Sequence, residues 1–140
     1  MEMNEKDVRP ANLFLSEPGV VKLGYYGLTT EEECYSKEKM TVEEIGYCAP
    51  EVFEGGYGMK SDVWSLGVLL FEAMTGVFPY YGHCEEAIPQ ATDPFDILAD
   101  SGIHSKELVD FLQKCLVKSV NERSSVSELM DVSASVQSDD

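Results

Sequence analysis

The sequence contains no Cys-x-x-Cys pair, no Cys/His pair at zinc-finger spacing and no Gly-x-Gly-x-x-Gly run. The first two absences exclude the common zinc and dithiol motifs, and the third removes the usual glycine-rich cradle for nucleotide phosphates. The four cysteines, Cys34, Cys48, Cys84 and Cys115, are widely scattered. With no disulfide pattern, a reducing compartment, cytoplasmic or nuclear, is the default expectation, and cytoplasmic is the one taken here. Positive charge is scarce: ten Lys and Arg stand against 26 Asp and Glu, a formal net charge of -16. Such a surface repels phosphate, so neither nucleic acid nor an anionic membrane is expected as a partner. No apolar run is long enough for a membrane span, and Met1 to Pro10 is too polar to act as a signal peptide. Histidine is limited to His83 and His104, both in expected loops.

What is present suffices for one domain. The chain has 140 residues, 44% of them hydrophobic, which allows a real core. Its organising stretch is Asp62 to Gly76. Val63, Trp64, Leu66, Val68, Leu69, Leu70, Phe71, Ala73 and Met74 cover nearly every face of a helix, and a helix apolar all round belongs inside a domain. Ser61 and Asp62 are the candidate caps at its start, and Gly76 suits the left-handed position just past its end.

The rest of the chain hangs from this rod. Leu13 to Leu15 and Val20 to Leu23 are short apolar runs around Ser16-Glu17-Pro18-Gly19, which predicts a β-hairpin lying against something larger. Gly24 to Glu44 reads as a long polar loop, with acids clustered at Glu31 to Glu33 and at Glu43 and Glu44. Gly46 to Gly58 is also loop-like, with one helical turn near Pro50 to Phe53. A short helix is expected around Asp96 to Ala99 and an amphipathic one over Ser105 to Leu116, with Ser105 as N-cap. A last helix is expected over Val126 to Val132, followed by a disordered tail from Ser133 to Asp140.

Five motifs then fall in an order that resembles the protein kinase superfamily, of Ser/Thr type. Asp7-Val-Arg-Pro-Ala-Asn12-Leu-Phe-Leu resembles the catalytic loop and the strand after it. Val20-Val-Lys-Leu-Gly-Tyr-Tyr-Gly27-Leu resembles the next strand and the metal-binding turn. Ala49-Pro50-Glu51 is similar to the end of the activation segment, Asp62-Val-Trp-Ser-Leu-Gly to the start of the central helix, and Asn121-Glu-Arg123-Ser-Ser to the arginine motif before the last helix. The match covers about residues 5 to 132. It implies a mainly α fold with a small β-hairpin, a partial kinase-like C-terminal lobe built around the buried central helix.

The resemblance also assigns roles. Asp7 stands at the catalytic base, Arg9 where a Lys usually touches the transferred phosphate, and Asn12 at a magnesium ligand. Asp62 would bond the catalytic-loop backbone, and Glu51 would pair with Arg123. Several positions depart from the family pattern. Tyr25 replaces the main metal-binding Asp, and a phenol that is neutral at pH 7 is a poor ligand for a hard cation. Glu5-Lys6 replaces the usual His-Arg, and Glu44 stands where a Thr supports the catalytic Asp, which it is expected to repel. The glycine-rich loop and the Lys-bearing strand are missing from the sequence.

These departures imply a pseudokinase-type piece that acts through protein contacts. The isolated chain is expected to need no cofactor. The protein partner would bind an apolar face left exposed beside Val63 to Met74. The alternatives are a Ser/Thr protein kinase that uses Mg-ATP, with its N-terminal lobe supplied elsewhere, and a piece with no dedicated function. Tyr35, Ser36 and Thr41 lie on the activation-segment equivalent, where neighbouring glutamates oppose phosphorylation. Tyr80 and Tyr81 are expected in the core.

Overall fold

The computed structural model describes residues 8–17, 19–24, 41–80, 94–102 and 105–136. Asp7, Tyr25, Tyr81, both histidines, Tyr35 and Ser36 lie outside the described residues, as do Glu5-Lys6 and the acids at Glu31 to Glu33. The fold is mainly α with one two-stranded antiparallel hairpin.

The hairpin joins β1 (Leu13–Ser16) to β2 (Val20–Leu23), with Leu13 opposite Leu23 and Ser16 opposite Val20. Its turn closes through the Gly19 amide, which donates to the Ser16 carbonyl at 2.6 Å. The expectation that it packs on something larger is not met among the described residues. Phe14 is 58% exposed, Leu15 79%, Val20 50% and Val21 59%. Of the hairpin's apolar side chains, only the end pair, Leu13 and Leu23, is half-buried.

α1 (Val42–Tyr47) runs through a stretch expected to be loop. The reason is a capping box. The Thr41 hydroxyl accepts from the Glu44 amide at 3.2 Å, and the Glu44 carboxylate accepts from the Thr41 amide at 2.7 Å. Six residues are too few for apolar periodicity to register, so the cap was the available signal. A 3-10 turn over Pro50–Glu54 follows.

α2 (Met59–Thr75) is the central helix, and it starts three residues before Asp62. Neither Ser61 nor Asp62 is its N-cap. That position is Gly58, and the Ser61 hydroxyl reaches back one turn to accept from the Gly58 amide at 3.1 Å. Gly76 takes φ 74°, the left-handed end, and its amide donates to the Glu72 carbonyl. Val63, Trp64, Val68 and Phe71 are buried on α2, while Leu66, Leu69 and Leu70 are half-buried.

Three further helices complete the described chain. α3 (Pro94–Asp100) opens on Pro94, where the missing amide hydrogen costs nothing. α4 (Lys106–Cys115) is capped by the Ser105 hydroxyl, which accepts from the Leu108 amide at 3.3 Å. α5 (Val126–Val136) passes the expected end at Val132 by four residues, so the tail is helical at Ser133 to Val136. No Gly or Pro interrupts it there, and adding a residue to an existing helix is easier than nucleating one. Residues 137–140 lie outside the described residues.

α2 and α4 meet closely at Gly67. A Cβ there would lie 2.7 Å from Cys115 Cβ and 2.9 Å from Leu116 Cδ2, so only glycine lets the two helices approach this near. Leu98, Leu112, Cys115, Leu116 and Leu129 close the core around α2. Tyr80 stacks on Trp64 with centroids 5.3 Å apart and an interplanar angle of 8°. The apolar face expected to be open beside Val63 to Met74 is therefore largely covered. On α2 the exposed apolar side chains are Met59, Ala73 and Met74, towards the helix ends, while Leu66, Leu69 and Leu70 are half-buried.

Candidate functional site

The loop that leads into the hairpin carries the first candidate residues. Arg9 is extended, with φ -150° and ψ 162°, and Pro10 opens a 3-10 turn over Pro10–Asn12. The Asn12 amide donates to the Arg9 carbonyl at 3.0 Å, and the Gly24 amide donates to the Asn12 carbonyl at 2.8 Å. Arg9 and Asn12 thus sit at either end of one tight turn, anchored to the hairpin. Asn12 is 8% exposed.

Arg9 finds a partner 35 residues away. Its Nη1 lies 2.5 Å from Glu44 Oε1, in an ion pair with both side chains about a quarter exposed. Glu44 was expected to oppose the catalytic Asp. Its charge is met by Arg9, and Asp7 lies outside the described residues. The hydrogen bond from the Thr41 amide chiefly holds the Glu44 carboxyl below its usual value. Burial works the other way, and Arg9 and the Thr41 hydroxyl add to the lowering. Sequence reasoning missed this pairing because nothing in the spacing of residues 9 and 44 signals it.

α1 is then tied to the central helix. The Tyr47 hydroxyl donates to the Glu72 carboxylate, the Ser65 hydroxyl donates to the Tyr47 carbonyl at 2.7 Å, and the Tyr47 ring packs edge-on against Phe78. Asp62 accepts a hydrogen bond from the Tyr57 hydroxyl at 2.5 Å. That tyrosine is a second partner the sequence did not disclose. The proposed contact of Asp62 with the loop backbone involves a loop only partly within the described residues.

Glu51 and Arg123 meet in a bidentate ion pair at 2.6 and 2.9 Å. Glu51 also accepts from the Ser61 hydroxyl at 2.8 Å. Arg123 donates to the carbonyls of Lys60 and Val117, and its guanidinium lies 5.1 Å over the Trp64 ring. Burial pushes the Glu51 carboxyl up. The hydrogen bonds from Arg123, from its own amide and from Ser61, with the Arg123 charge, outweigh it and leave the carboxyl below its usual value.

Of the two positions that the resemblance assigns to metal, Asn12 lies within the described residues, where its side chain offers one neutral carbonyl oxygen, and Tyr25 lies outside them. Among the described residues, no three His, Cys, Asp or Glu side chains converge on a metal position. Also among them, no helix is long and apolar enough to cross a membrane.

The family described as protein kinase domain matches residues 3–133. Mitogen-activated protein kinase kinase 2 of Arabidopsis thaliana is 36% identical over 136 residues, an alignment that spans 90% of this chain and 38% of that protein. The serine/threonine-protein kinase hippo of Drosophila melanogaster is 33% identical over 132 residues, spanning 90% of this chain and 19% of that protein. A crystal structure of Rad53 1-466 in complex with AMP-PNP superposes with a TM-score of 0.72 at 27% identity, over 94% of this chain and 34% of that one. The chain therefore spans well under half the length of these relatives.

Proposed function

The chain belongs to the protein kinase domain family, and from that premise we propose that it is a pseudokinase-type piece acting in the cytoplasm through protein contacts rather than by phosphoryl transfer. The observation that carries this reading is the hairpin. Phe14, Leu15, Val20 and Val21 are each at least half exposed, and Leu15 and Val21 are register partners on one face. Exposed apolar surface of this kind marks a contact site. Two features weigh against catalysis. Tyr25 stands where the family carries its main metal-binding Asp, and Arg9 is already engaged by Glu44. Metal-ion charge stabilisation is worth several kcal/mol, and each ~1.4 kcal/mol is tenfold in rate.

A Ser/Thr kinase using Mg-ATP is the second reading. It is favoured by the buried, turn-held position of Asn12 next to Arg9, and by the AMP-PNP complex of the similar Rad53. In it Asp7 would take the acceptor's proton.

Incubating the purified chain with Mg-ATP and a protein acceptor separates the two. On the contact reading, labelling does not exceed that of Asp7→Asn. Transfer that disappears in Asp7→Asn moves the protein to the second reading. On the contact reading, Leu15→Lys with Val21→Lys also leaves the thermal melt unchanged, because neither side chain is buried.

A further inference from the structure

The register of the hairpin fixes which backbone groups face away from it. The Gly24 amide donates to the Asn12 carbonyl, so Asn12 and Gly24 form a hydrogen-bonded pair next to Leu13 and Leu23. Antiparallel pairs alternate, so Phe14 and Ser16 turn their backbone groups towards β2, while those of Leu13 and Leu15 point outwards. The Leu13 amide accordingly donates to the Pro10 carbonyl, outside the hairpin. Among the described residues, no hydrogen bond reaches the Leu13 carbonyl or the amide and carbonyl of Leu15. Leu15 is also the most exposed large apolar side chain described, at 79%.

Two strands are marginal in water, and an unpaired edge is a template for a third. β2 carries the exposed Lys22, a residue that guards edges, whereas β1 has neither charge nor proline. Charge selects the occupant. Glu17 and Lys22 cancel within residues 13–23, but the whole chain carries -16, which repels a second copy and draws in a cationic segment. We propose that the outer edge of β1 receives, as a third strand, an extended segment of a basic partner protein that is apolar at alternate positions and flanked by Lys or Arg. Its backbone meets the outward groups of Leu13 and Leu15, and its apolar side chains extend the face of Leu13, Leu15, Val21 and Leu23. This names the partner for the contact reading above and rests on that reading.

The probe is the dye-labelled peptide Lys-Lys-Val-Thr-Val-Thr-Val-Lys-Lys, titrated with the full chain and read by fluorescence anisotropy. Saturable binding is expected. Leu15→Pro removes the outward amide without touching the bonds to β2, and Leu15→Thr keeps it, so the proline variant is expected to bind about tenfold or more weakly than the threonine one. The same peptide with its Val and Thr amides N-methylated keeps the charges and apolar groups, and is expected not to bind. That comparison needs no variant, so it holds even where Leu15→Pro fails to fold. Binding that is equal in the two variants, or that survives N-methylation, is plain charge attraction and overturns the proposal. Absence of binding overturns it too, as does a dimer in sedimentation that Leu15→Pro dissolves, which would make a second copy the occupant. Failure here leaves the contact reading standing. Phosphoryl transfer that is lost in Asp7→Asn would remove that reading instead, so the two failures are distinct.

Discussion

Arg123 and Glu51 lie 72 residues apart in sequence and face each other through two parallel hydrogen bonds, Nη1 to Oε1 at 2.6 Å and Nη2 to Oε2 at 2.9 Å. Around them the Lys60, Val117 and Lys118 carbonyls and the Trp64 ring also meet Arg123. One buried guanidinium thus joins the turn after α1, the start of α2 and the segment after α4.

Removing either partner strands the other. Glu51→Ala leaves a fully buried guanidinium without its carboxylate, at a cost of roughly 3–5 kcal/mol. Domains are stable by only ~5–15 kcal/mol, so a cooperative melt is expected to be lost or shifted far down. Replacing both residues by methionine is expected to cost less than replacing Arg123 alone. Thermal melts of the three variants check this.

Acid is expected to unfold the chain through its glutamates. Glu51 and Glu44 both have folded-state values below the ordinary 4.5. A carboxyl lowered on folding contributes stability that is fully present above its unfolded value and is lost as pH falls through the folded one. The Tm should therefore be flat from neutral pH down to just above 4.5 and fall below it. Glu51→Gln is expected to flatten that fall, read from melts taken between neutral pH and about pH 3.

Gly67→Ala sets two effects against each other. Alanine gains up to ~1 kcal/mol in helix propensity. Its Cβ would meet Cys115 Cβ at 2.7 Å and Leu116 Cδ2 at 2.9 Å, and overpacking of a core costs about 1–3 kcal/mol. The nearest neighbour is another Cβ, fixed to the α4 backbone, so it cannot swing away. Net destabilisation is expected, seen as a lower Tm than that of the unsubstituted chain.

Cys115 is expected to be inert while the chain is folded. Burial pushes its thiol up to about 12, against a smaller lowering by the Arg123 charge. The reactive thiolate is then scarce at pH 8. A thiol reagent should label Cys115 only as fast as the chain unfolds, with the buried Trp64 reporting the same transition by fluorescence. Labelling that precedes the fluorescence change would show local opening between α2 and α4.

The helices that could be read from the sequence are those with a strong local signal. The amphipathic spacing and Ser105 cap of α4, the apolar α2 and the hairpin runs about Gly19 each carry their own pattern. α1 was missed because six residues hold too little periodicity, although Thr41 and Glu44 stand at capping-box spacing. The start of α2 was misplaced because Ser61 is a good N-cap residue by type, yet its hydroxyl serves Gly58 from inside the helix.

By itself the sequence determined the kinase-like order of motifs, the acidic surface and the identity of the central helix, since these depend on composition and near-neighbour spacing. Only the tertiary structure decided which charges meet. Arg9 with Glu44, Tyr57 with Asp62 and Tyr47 with Glu72 are pairings set by how the helices pack. It also moved the exposed apolar surface from the central helix to the hairpin, because α4 and Tyr80 cover the former and no described element covers the latter. Burial and ion pairing depend on neighbours that are distant along the chain, and no local pattern encodes them.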